Sequence, residues 1–169
     1  MKKVEDTVRA GGRAAHLLQT ALSRGAPTLL AQLLDADSER ASDLIGALEN
    51  VLAELDNTIT KPSLEDLDGR AADDLEREHI HAHDVYDRVE ALHAVLGGPA
   101  LAGLAFGLAQ RDPARGLRLM QLFATLRDKY TLLLAKLADV IDRIEVQQDV
   151  QHVIALRALG MLESGSASG

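Results

Sequence analysis

Residues 113–144 read Pro-Ala-Arg-Gly-Leu-Arg-Leu-Met-Gln-Leu-Phe-Ala-Thr-Leu-Arg-Asp-Lys-Tyr-Thr-Leu-Leu-Leu-Ala-Lys-Leu-Ala-Asp-Val-Ile-Asp-Arg-Ile. Within this stretch Phe123, Leu126, Tyr130, Leu133, Leu137, Val140 and Ile144 recur at alternating spacings of three and four. That rhythm puts all seven on one stripe of a helix, as in a coiled-coil seam or the long helix of a bundle. Asp112 stands before Pro113 as an N-cap ahead of proline at the first helical position. An exposed seam of this kind makes the seven residues the expected interface of a homo-oligomer, a dimer or larger. Past Gln147-Gln148 the register shifts, and Val146, Val150, Val153 and Ile154 start a second stripe. A continuous helix from Pro113 to Leu162 would span about 75 Å at 1.5 Å per residue. An 18.1 kDa domain cannot bury that length. The expectation is therefore a break near 145–149, or a partner over part of the helix.

Upstream the pattern is also helical. Val4, Val8, Gly11, Ala15, Leu18 and Leu22 form one stripe over about 3–24, which Gly11-Gly12 weakens by about 1 kcal/mol per glycine relative to alanine. Gly25 reads as a C-cap, with Pro27 opening a short helix over 27–34. A helix over 39–56 carries Ala41, Leu44, Ile45, Leu48, Val51, Leu52 and Leu55. Residues 57–62 read as a loop, Ser63 as the cap of the next helix, and Gly69 as a split after its first turn. From Arg70 the stripe Leu75, Ala82, Val85, Val89, Leu92 and Leu96 runs to Gly97-Gly98-Pro99, a stop followed by a new start. A helix of small residues follows, over about 99–110.

Composition agrees with this reading. Of 169 residues, 30 are Leu and 26 are Ala, both strong helix formers, whereas the aromatics are only Tyr86, Phe106, Phe123 and Tyr130. The expected fold is all-α, a bundle of about five to seven helices with a long C-terminal helix. It would form one domain over 1–162, with a flexible tail over 163–169. Absence of cysteine excludes disulfides, thiol catalysis and thiolate metal sites. A net charge of −8 and few aromatics disfavour nucleic acid and anionic membranes as partners. No apolar h-region follows the N-terminal lysines, so no secretory signal is read and a cytoplasmic location is expected. Residues 94–109 contain no charged or polar side chain, but at 16 residues the run is short of the about 20 that a spanning helix needs. Gly103 and Gly107 within it would permit close helix approach.

Chemistry concentrates in the histidines. Four of six fall between His79 and His93. Glu76, His79, His83 and Asp87 share one helical face, and imidazole with carboxylate suits a divalent metal such as zinc or iron. The acid-x-x-His spacing of carboxylate di-iron bundles occurs at Glu76/His79, Glu78/His81, Glu90/His93 and Asp149/His152. Such a site also wants a lone carboxylate on other helices, for which Glu49 or Glu54 are available. The plainer reading is a solvated His/acid face, because acids are dense here. No nucleophile elbow, phosphate loop or dinucleotide fingerprint is present, so no catalytic residues are assigned. Arg111, Arg115 and Arg118 form a small basic patch.

Two stretches carry a resemblance. Residues 103–127, with a helix, an Asp112-Pro113 turn and the Arg115-Gly116-Leu117 helix start, and residues 23–34, with Gly25 and a Leu-Leu helix, resemble an uncharacterised family of small bacterial and archaeal helical proteins. Members are encoded beside formate dehydrogenase or heterodisulfide-reductase-like subunits, which implies an accessory role in a redox complex and no known functional residues. The leading expectation is thus a non-enzymatic accessory or scaffold protein that self-associates and docks to a protein partner. The alternatives are a His/carboxylate metal-binding bundle and a small-ligand bundle with a cavity among Gly103, Gly107 and the leucines.

Overall fold

The computed structural model describes residues 3–34, 39–60, 67 and 69–160. They form α1 (Lys3–Leu34), α2 (Glu39–Thr60), α3 (Ala72–Leu96), α4 (Pro99–Arg111) and α5 (Pro113–Ala158), with no strand among them. The all-α expectation holds.

Contacts across α3, α4 and α5 keep a constant antiparallel register. Glu76 meets Gln148, His79 meets Glu145, His93 meets Thr131, and Gly97 lies against Arg127. Ala109 then lies against Gly116. Each step forward along α3 and α4 matches a near-equal step back on α5. Helices α3 and α4 are therefore a single arm, interrupted at Gly97-Gly98, lying along α5. The bundle has four helical arms, fewer than the five to seven helices expected.

The other two arms follow from similar pairs. Tyr130 meets Ala14 and Leu137 meets Gly11, so α1 runs antiparallel to α5. Arg118 pairs with Glu49 and Lys129 with Asp56, so α2 runs parallel to α5. Around the bundle the order is α1, α2, α5, α3–α4. Arms α2 and α3 sit on a diagonal and do not touch among the described residues.

Two features lower the count: α1 absorbs the short helix expected over 27–34, and α3 and α4 continue one another as a single arm across Gly97-Gly98. Gly25 does not cap a helix; α1 runs through it and through Pro27 to Leu34. Its glycine serves packing, since a Cβ there would come 2.4 Å from Leu44 Cδ1. Gly11 likewise fits under Val85 and Leu137 within an unbroken helix. Helix α2 extends to Thr60, over part of the expected loop. The stop at Gly97-Gly98 and the Asp112 cap are as expected: Asp112 Oδ1 accepts from the Arg115 N–H at 3.2 Å. Gly69 has φ +77°, a left-handed turn ahead of α3. The expected cap at Ser63 and the tail over 163–169 lie outside the described residues.

The seam is the centre of the molecule. Phe123 is 5% exposed, and Leu126, Tyr130, Leu133, Leu137, Val140 and Ile144 are fully buried. This corrects their assignment as an oligomer interface. Arms α1, α2 and α3–α4 of the same chain surround α5 and cover the stripe. Burying one leucine of this kind contributes roughly 1.5–3 kcal/mol. The buried Tyr130 hydroxyl donates to the Ala14 carbonyl at 2.8 Å, so its polar end is satisfied.

Helix α5 does not break near 145–149. It is a continuous helix of 46 residues, about 69 Å long. Beyond Ile144 the apolar stripe moves to the outward face, where Val146 is 62% and Ile154 60% exposed. The face toward α3 becomes polar, with Gln148 and Gln151.

One stretch, Ala72–Arg111, is long and apolar enough by length and composition to cross a membrane, and 22% of its apolar window is buried. It coincides with the α3–α4 arm. Leu96, Leu101, Ala105 and Leu108 of that arm are buried in the bundle core.

Candidate metal centre

The register between α3 and α5 builds one notable side-chain group. His79 and His83 stand one turn apart on α3 and project toward α5 because the core stripe Leu75, Ala82, Val85 and Val89 orients that helix. On α5, Glu145 follows Ile144, the last fully buried residue of the seam. Packing the two stripes brings Glu145 beside both imidazoles.

The three ligand atoms form a compact triangle. His79 Nε2 lies 2.9 Å from Glu145 Oε1, His83 Nε2 lies 3.2 Å from His79 Nε2, and His83 Nε2 lies 3.7 Å from Glu145 Oε1. The rings meet edge to face, with centroids 4.6 Å apart. Zinc bound at 2.0–2.1 Å in tetrahedral geometry sets its ligand atoms about 3.3 Å apart. A point about 2.05 Å from all three atoms lies about 0.7 Å off their plane, close to the height of a tetrahedral ion above three of its ligands. His79 is 23% exposed, while His83 and Glu145 are half-exposed. A fourth coordination position would face water.

A proton serves the triangle only when His79 Nε2–H is shared between Glu145 and His83. Each Nε2 carries at most one. If His83 donates to His79, the lone pairs of His79 and Glu145 face each other at 2.9 Å. If His79 donates to Glu145, its Nε2 has no lone pair left for His83, whose unprotonated Nε2 can then only share that one N–H. If both nitrogens carry protons, two N–H groups oppose each other. A single cation accepts all three lone pairs together. The hydrogen bond from His79 also holds the Glu145 carboxyl below the usual carboxylate range, which keeps it anionic.

Of the four ligands read from the sequence, the structure brings together His79 and His83 and leaves out the two acids. Glu76 accepts from Gln148 Nε2 at 3.0 Å, and Asp87 is exposed farther along α3. Glu145 was not among the candidates. Its only sequence signal is adjacency to the end of the seam. No interior di-iron arrangement forms among the described residues: the buried core is hydrophobic, and Glu49 is paired with Arg118 on the surface.

The remaining expectations resolve similarly. Arg115 binds the Asp112 carboxylate at 3.0 Å, a local pair at the start of α5, and Arg118 binds Glu49 at 2.9 Å, tying α5 to α2. Gly103 faces open space rather than a neighbouring helix. The close approach on α4 comes instead at Ala109, whose Cα would lie 2.3 Å from a Cβ on Gly116. A cavity of about 720 Å³ lies between α1 and α2, over Leu17, Ala21, Leu44 and Val51, not at the glycines of α4.

No family model matches the chain, and no curated protein or solved structure matches it.

Proposed function

We propose that this protein is a zinc-class metal-binding helical bundle, with the ion held between α3 and α5 by His79, His83 and Glu145. The observation that carries this reading is the triangle of three ligand atoms from two helices at a spacing suited to one tetrahedral ion. Two imidazoles and one carboxylate favour zinc, with iron as the next choice. Elemental analysis and zinc titration of tag-free protein test it. One zinc per chain is expected, lost in the His79→Ala/His83→Ala double variant. Metal-free protein that takes up no zinc on titration counts against the reading.

A second reading keeps the scaffold role and a cytoplasmic location. It rests on α4, which is apolar around its circumference although Pro99, Ala102, Gly103 and Phe106 face water. A helix apolar on all sides is normally covered. The occupant proposed is a second copy, because an exposed Gly103 lets two such helices approach closely across a two-fold axis. In this reading the dimer is the unit that docks to a redox enzyme complex. A mass of one chain by light scattering at micromolar concentration would remove it.

A further inference from the structure

We infer that cation binding at His79, His83 and Glu145 controls the docking of the last part of α5, residues 145–158, on the first turns of α3. The inference rests on the metal-binding reading and adds a consequence to it.

The seam between α3 and α5 changes character at the metal centre. On one side lie Ala82, Val85, Leu137 and Ile144, fully or almost fully buried, and on the other Leu75 is the one buried side chain of the first turns of α3, with no buried residue opposite it in 145–158. The ties on that side are polar. His79 meets Glu145 at 2.9 Å, Gln148 Nε2 donates to Glu76 at 3.0 Å, and Gln151 Nε2 donates to the Arg70 carbonyl at 2.5 Å. Val146, Val150, Val153 and Ile154 of this segment face outward, so their apolar surface does not hold it to α3. Polar ties that are exposed, or only part-buried as at Gln151, are individually weak. A segment held by few buried apolar contacts opens locally well before the whole protein unfolds.

The metal centre sits on the boundary. Two ligands come from α3 and one from α5, so the complete set exists only when the helices are docked there. An ion that needs the docked state stabilises it by mass action, and free zinc at about 100 times its Kd suppresses opening roughly a hundredfold. The ion then acts as a clasp between a permanently packed bundle and an end that closes on metal binding.

Hydrogen exchange read by mass spectrometry on the full chain, with and without zinc chloride, tests this. Amides of 72–79 and 145–152 should exchange up to roughly a hundredfold more slowly at free zinc near 100 times Kd, while those of 119–133 stay unchanged. In Glu145→Gln the zinc-dependent slowing should disappear, with helix content by circular dichroism retained. Stoichiometric zinc binding without slower exchange in those two segments overturns the clasp and leaves the metal-binding reading intact. Equal slowing across 119–133 also overturns it, as a global effect. Failure to bind zinc removes both.

Discussion

The hydroxyl of Tyr130, on α5, donates to the main-chain carbonyl of Ala14, on α1, at 2.8 Å inside the bundle. It is a polar tie between diagonal arms, in a core otherwise built of aliphatic side chains and Phe123. Tyr130→Phe keeps the ring and removes the bond. A loss of about 1 kcal/mol is expected in urea denaturation, the usual net worth of such a bond.

Burial pushes the Tyr130 hydroxyl well above its ordinary value of 10.0. The folded state therefore favours the protonated phenol. Its contribution to stability is complete below the unfolded-state value and is lost as pH rises from there toward the folded-state value. Denaturation midpoints measured across alkaline pH should fall more steeply in the native chain than in Tyr130→Phe. Parallel profiles would show that this phenol is not the group responsible.

Two glycines should respond to alanine in opposite ways. At Gly116 the new methyl would meet Ala109 Cα and N, at 2.3 and 2.4 Å, so α4 and α5 must separate. Destabilisation by about 2–3 kcal/mol is expected, outweighing the gain in helix propensity. At Gly103 nothing lies within 4 Å, and alanine should stabilise by about 0.5–1 kcal/mol. Thermal melts of the two variants should move in opposite directions.

Leu133→Asp should unfold the chain rather than dissociate an oligomer. Leu133 is fully buried within one chain, and an unpaired carboxylate there has no partner. Circular dichroism should show lost helix at 25 °C. A folded variant with only its mass changed would return the seam to the role of an interface.

Zinc affinity should separate Glu145 from the acids nearer in sequence. Glu76→Gln and Asp87→Asn should bind as the native chain does, whereas Glu145→Gln should bind at least tenfold more weakly. Calorimetric zinc titrations of the native chain and the three variants check this expectation.

Much of the bundle was readable from residue order. The spacing of Phe123 to Ile144 defined the core face of α5, and Gly97-Gly98-Pro99 and Asp112-Pro113 marked true helix ends. Gly25 misled because a glycine that ends a helix and one that admits Leu44 look the same in a chain. Two of the three residues of the candidate metal centre were also legible, as His79 and His83 share a face at local spacing.

Residue order alone determined that this chain is helical, which stripe of each helix is apolar, and where two histidines stand side by side. Those are properties of one helix at a time, set by the 3.6-residue period. Tertiary structure decided what each stripe meets. It turned the seam inward, because three arms of the same chain cover it. It also joined Glu145 to His79 across 66 positions of sequence, because packing fixes the register of α3 on α5. A helical period carries no information about that register; only the fit of one apolar stripe against another supplies it.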